Sequence, residues 1–197
     1  MGVQCSTTKT RKNNKNWKNH HLSTPNNSII INSNLSQNKE IDKNINNINI
    51  NNKNENIYEI LLKIHNENRK IYGTPFLKLN YELCQLAQEY ADKCADLQNT
   101  DLNPVSYKNE CIGENITEFD GNISTTSKIC EEWANERNIF DFRNKEYNGK
   151  TKHFTQMIWK DTQSVGFGFS STPNGKNYFV SFYFPAGNIF DEFDNNI

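Results

Sequence analysis

Lys152-His153-Phe154-Thr155-Gln156-Met157-Ile158-Trp159 is the stretch on which the fold turns. It sets one imidazole at the head of a short amphipathic run, and two strand-like segments follow. The first is Val165-Gly166-Phe167-Gly168-Phe169-Ser170. After the turn residues Pro173-Asn174-Gly175, the second runs from Asn177 through Tyr178, Phe179, Val180, Ser181, Phe182 and Tyr183 to Phe184. Aromatic and β-branched residues on either side of such a turn read as paired strands. A polar group placed by packed aromatics is a candidate site.

Upstream, Ile57, Ile60, Leu61, Ile64 and Ile71 recur at helical spacing, so a helix is expected from about Asn56 to Ile71, stopping near Gly73 and Pro75. His65 and Arg69 share a face of it, where a lone histidine reads as structural. Asn80 is placed to cap a second helix, whose buried stripe is expected to hold Leu83, Leu86, Ala87, Tyr90, Ala91, Cys94 and Leu97. Asp101 to Cys111 reads as a loop. Ser124 or Thr125 opens a third helix, on which Ile129, Trp133 and Glu136 share one face. Helices and short strands that do not alternate regularly point to a layered α+β domain.

The 197 residues carry a net charge of −1, but unevenly. Residues 1–56 hold eight lysines and arginines against three carboxylates, a net +5, which leaves −6 for the remainder. An acidic domain excludes nucleic acid as the expected partner; a basic arm suggests an anionic membrane surface. From Asn13 to Asn56 the chain is an Asn- and Lys-rich mixture too poor in apolar residues to offset its ordering entropy, so 1–55 is expected to be a disordered tether and 56–197 the domain. Met1-Gly2-Val3-Gln4-Cys5-Ser6 fits the myristoylation pattern at Gly2, with Cys5 as a palmitoylation candidate and five cations between Lys9 and Lys18 as a further membrane signal. Neither a signal-peptide core nor a spanning helix is visible, so attachment at the cytoplasmic face of a Golgi or plasma membrane is expected. The five cysteines read as reduced, because Cys84 and Cys94 lie about 15 Å apart along one helix and cannot pair.

Four blocks in order resemble the CAP superfamily of cysteine-rich secretory, antigen 5 and pathogenesis-related proteins. They are His65-Asn66-Glu67-Asn68-Arg69 with Pro75 to Leu79; Gly113-Glu114-Asn115-Ile116; Lys152 to Trp159; and Tyr183-Phe184-Pro185-Ala186-Gly187-Asn188. The likeness spans about Asn56 to Phe193 and is closest to a lipid-anchored member without the disulfides of its secreted relatives. The resemblance implies a three-layer α-β-α sandwich and a cleft of two His and two Glu that in some members binds a divalent metal. Carried over, Glu114, Glu136 and His153 occupy three of those places, as ligand-binding or catalytic candidates. No His stands near Leu102 to Asn103, where the first should lie.

Two carboxylates and one imidazole would favour a cationic His153 and suit Mg²⁺ or Ca²⁺ better than Zn²⁺. The leading expectation is a non-enzymatic, membrane-tethered module for lipid, sterol, a protein partner or a homodimer. The alternatives are a metal-dependent or cysteine hydrolase built on the same three residues, with Cys111–His153 as a candidate pair, and a secreted effector-like protein. The sequon Asn115-Ile116-Thr117 bears on the last, since a glycan there would sit beside Glu114.

Overall fold

The computed structural model describes residues 56–197; the expected tether, Gly2, Cys5 and the basic cluster lie outside the described residues. Among the described residues the helices are α1 (Ile57–Ile71), α2 (Tyr81–Leu97), α3 (Thr125–Asn135), α4 (Lys152–Ile158) and α5 (Phe193–Asn196). A 3-10 turn, Glu136–Ile139, continues α3. The strands are β1 (Lys78–Leu79), β2 (Ser106–Tyr107), β3 (Glu110–Cys111), β4 (Gly113–Asp120), β5 (Ser164–Ser171) and β6 (Lys176–Phe184). The main sheet has the order β1-β5-β6-β4, with β1 parallel to β5 and the other pairs antiparallel; β2 and β3 form a separate hairpin.

The alternation of glycine and phenylalanine in Val165–Phe169 is the hinge of the architecture, because successive residues of a strand face opposite sides. Gly166 and Gly168 face α2, whose backbone comes so near that an added Cβ would stand 2.3 Å from Cys84 N and 2.2 Å from the carbonyl carbon of Ala87. Phe167 and Phe169 face the other way, against Tyr58 and His65 of α1. β6 repeats the division: Phe182 meets Tyr90 of α2, while Phe179 stacks on Trp133 of α3. One helix therefore covers one face, and α1, α3 and α4 cover the other. This is the three-layer α-β-α sandwich of an α+β domain.

Asn80 caps α2 as the sequence foretells, its side chain accepting from Glu82 N at 2.9 Å and Leu83 N at 3.2 Å. The expected stripe is buried from Leu83 to Cys94, but Leu97 is 66% exposed, because the last turn of α2 runs past the sheet. The amphipathic reading of Lys152–Trp159 also needs correction. Phe154 to Trp159 are buried without interruption, so beyond its open first two residues α4 is enclosed on all sides. Two strand segments were missed: Gly113–Asp120 alternates weakly and carries three carboxylates, and the hairpin lies within the expected loop.

The buried face of α1 runs Ile57, Leu61, His65 and Arg69, so half of its central stripe is polar. His65 donates from Nδ1 to the Leu61 carbonyl (2.8 Å), which assigns the Nε2 lone pair to the Tyr183 hydroxyl, also at 2.8 Å. Burial pushes His65 down from 6.5 to about 4, with Arg69 adding to the effect and the Leu61 bond opposing it. Above pH 6.5 the ring is neutral in both folded and unfolded chains. As pH falls from 6.5 towards 4 the unfolded chain gains a proton that the folded one refuses, so stability drops by about 3 kcal/mol across that window from this group. Ring-proton NMR of His65 checks this, and an inflection near 6.5 in the native protein would contradict it.

Candidate functional site

Glu136 reaches α4 from the end of α3. Its Oε1 meets His153 Nδ1 at 2.6 Å, and its Oε2 accepts from the backbone N–H of His153 and of Phe154, each at 3.1 Å. Thr151, which precedes α4, makes no side-chain cap. Glu136 therefore supplies from a distance the acceptor that the open N–H groups of the first turn need. The bond to a carboxylate places a hydrogen on His153 Nδ1 and turns Nε2 outward.

The imidazole lies on an aromatic column: His153 stacks on Trp133 (5.4 Å, 17°), Trp133 on Phe179 (5.1 Å, 7°) and Phe179 on Phe169 (5.1 Å, 8°). Trp133 is fixed in turn by its Nε1 donating to Thr117 Oγ1 at 3.1 Å. The side chain of His153 remains 17% exposed, and among the described residues no hydroxyl or thiol bonds to its Nε2.

Asn115 is the contact that sequence reading overlooked. It is buried, and its Nδ2 donates to the His153 carbonyl and to the Tyr183 hydroxyl, both at 3.1 Å. The site backbone is thereby tied to the internal His65–Tyr183 pair. The sequon asparagine is thus built into the core, where a glycan cannot be housed. Its position after Gly113-Glu114 was a usable signal, because Gly113 and Gly187 both lie against the Gln156 side chain of α4. An added Cβ would stand 2.0 Å from Gln156 Oε1 at Gly113 and 2.7 Å from Gln156 Nε2 at Gly187.

Glu114 does not join the pair. Strand alternation that turns Asn115 towards α4 turns Glu114 to the opposite face, the side of Phe182 and Tyr90. It is exposed by area, yet the protein around it raises its carboxyl above the usual range, with Lys152 opposing and Asp101 reinforcing. It forms no hydrogen bond with Glu136 or His153 among the described contacts. Glu136 and His153 are thus bonded directly to one another, while Glu114 stands on the other face of β4 within the field of Lys152.

No group of three or more His, Cys, Asp or Glu side chains able to hold a metal occurs among the described residues. Glu136 bonds through both oxygens to His153 and the first turn of α4, and no third His, Cys, Asp or Glu among the described residues joins the pair to complete a metal site. The cysteines need correction too. Cys84, Cys94 and Cys130 are free and buried, but Cys111, part-exposed at the end of β3, is in a disulfide, which removes the thiol from the Cys111–His153 pair. That bond also withdraws the thiol argument for a reducing compartment.

A central sheet with helices on both faces, and a carboxylate-bound imidazole over a tryptophan at the entry to α4, define a class of layered domain with its site at a helix start. The family model described as CAP, cysteine-rich secretory protein family, matches residues 62–184, and the chain belongs to that family. It is 34% identical over 139 residues to human Golgi-associated plant pathogenesis-related protein 1, a match covering 70% of this chain and 89% of the relative. It is 36% identical over 136 residues to human cysteine-rich secretory protein 2, covering 63% of this chain but only 54% of that relative. Among solved structures, venom allergen-like protein 4 of Schistosoma mansoni superposes with a TM-score of 0.52 at 25% identity, covering 66% of this chain and 86% of that one.

Proposed function

We propose that this chain is a membrane-tethered, non-enzymatic binding module that takes up a sterol or lipid at the His153 site. The observation that carries this reading is the imidazole itself. Its tautomer is set by Glu136, its ring is supported by Trp133, and its Nε2 is left to bond a ligand hydroxyl or headgroup oxygen. One residue along α4, Phe154 joins Tyr72, Phe140 and Phe142 in an aromatic cluster, with Phe142 42% exposed and Ile139 62% exposed nearby in sequence. A single polar handle beside apolar surface suits a molecule with a hydroxyl head and a hydrocarbon body.

Attachment is proposed through an acyl group at Gly2 together with the Lys9 to Lys18 cluster, since a single myristoyl chain holds only marginally and needs a second signal. The relatives' names support a Golgi or an extracellular setting.

The test is titration with dehydroergosterol, a fluorescent sterol, read through energy transfer from the protein's tryptophans. His153→Ala is expected to weaken binding roughly tenfold, the loss of one buried hydrogen bond to a polar head. Unchanged affinity in that variant would remove the site from the reading. Membrane fractionation with Gly2→Ala, and mass spectrometry of the N-terminus, check the tether; full retention of Gly2→Ala on membranes would count against it.

A further inference from the structure

The two sides of the main sheet end differently. On the β5 side, residues 164–165 pair with β1, and beyond them α2 closes the edge with its own side chains. Gln88 accepts from Phe169 N at 3.2 Å and donates to Phe169 O at 2.6 Å, while Cys84 Sγ accepts from Phe167 N at 3.4 Å. On the far side β4 is the last strand. It runs eight residues in unbroken register with β6, from Gly113 opposite Tyr183 to Asp120 opposite Lys176, with no proline and no bulge. Apart from Phe119 O, which accepts from Asn177, no β4 backbone group bonds to anything but β6 among the described contacts. In an antiparallel ladder every second residue of such a strand turns its N–H and C=O outward.

What can pair with that edge is decided by charge. Glu114, Ile116, Glu118 and Asp120 share one face of β4, and the three carboxylates are exposed. Lys176 meets Glu118 at 2.5 Å and offsets one of them. A second copy docking antiparallel would set carboxylates against carboxylates, which disfavours self-pairing. Glu114, held among Tyr90, Cys94 and Asp101, lies within the field of Lys152 but has no cation in hydrogen-bond contact among the described residues.

We infer that β4 receives an extended, lysine- or arginine-rich segment of another protein as a fifth strand, with cations opposite Glu114, Glu118 and Asp120 and an apolar residue opposite Ile116. The surface is separate from the His153 site, which lies on the other face of the sheet, so the inference stands or falls independently of the sterol reading.

The probe is the peptide Lys-Thr-Lys-Thr-Ile-Thr-Lys, which matches that face when it runs antiparallel to β4. Titrated into the full chain, it is expected to shift the amide resonances of Gly113 to Asp120 and to lose roughly tenfold in affinity towards the double variant Glu118→Gln/Asp120→Asn. Two N-methylated peptides separate strand addition from charge attraction. Methyl groups on the amides that face β4 are expected to weaken binding at least roughly tenfold, whereas methyl groups on the alternate amides leave it unchanged. Equal binding by both methylated forms, equal binding by a peptide with glutamate in place of lysine, or no binding at all would each overturn the inference.

Discussion

Arg69→Met is expected to destabilise the protein by about 3–5 kcal/mol, or to leave no soluble folded chain. The guanidinium is buried and faces no carboxylate. It donates to the Pro75 carbonyl at 2.5 Å, Met157 at 3.0 Å, Trp159 at 2.8 Å, Lys160 at 3.4 Å and Thr162 at 3.0 Å. Those oxygens include the end of α4 and the turn that leads into β5, and of them the Trp159 carbonyl also accepts from Thr162 N at 3.1 Å. Each carbonyl left bare in the interior costs about 1–3 kcal/mol. Against this, removing the cation relieves its desolvation, which has pushed the guanidinium down to about 10 and is worth about 3 kcal/mol. Five acceptors outweigh that relief. Arg69→Lys is expected to recover only part, because one ammonium cannot span a planar fan of acceptors. Urea unfolding of both variants is the measurement; a loss below about 1 kcal/mol for methionine would show that water reaches those carbonyls.

Gly168→Ala is expected to be comparably severe, at about 3 kcal/mol or more, and for the opposite reason. No left-handed backbone is involved; the demand is space alone. An added methyl would meet Ala87 C at 2.2 Å, Ala87 O at 2.3 Å and Gln88 N at 2.3 Å, all backbone atoms of a helix that cannot rotate out of the way. Relief requires α2 to lift from β5, which breaks the paired bonds of Gln88 to Phe169 and opens the core around Leu83, Ala87 and Tyr90. Gly175→Ala is the control: it has open space and sits at φ +91 in the β5–β6 turn, so its cost is confined to local strain. Thermal unfolding of the two variants separates them, and a Gly168→Ala protein that melts like the wild type would refute the close approach.

Legibility varied with the physical origin of each feature. The helix at Ile57–Ile71, the cap at Asn80 and the strands around Pro173-Asn174-Gly175 all announce themselves locally, through periodicity, a side-chain acceptor and turn chemistry. β4 did not, because an edge strand with Glu114, Glu118 and Asp120 on one face resembles a solvated loop. The Glu136–His153 contact was legible only through resemblance, since 17 residues separate the two and nothing in their spacing requires them to meet. The direction of Glu114 was not legible either, because it is set by the pleat of β4 against β6 and by Asn115 taking the inward place.

The sequence by itself determined the three long helices and that one histidine is structural. These depend on neighbours a few positions away. Only the tertiary structure decided that Glu136 serves as the remote cap of α4, that Arg69 feeds five carbonyls, and that Cys111 is not a free thiol. Each of those is a meeting between groups distant along the chain, and such meetings are fixed by how layers pack rather than by any local preference.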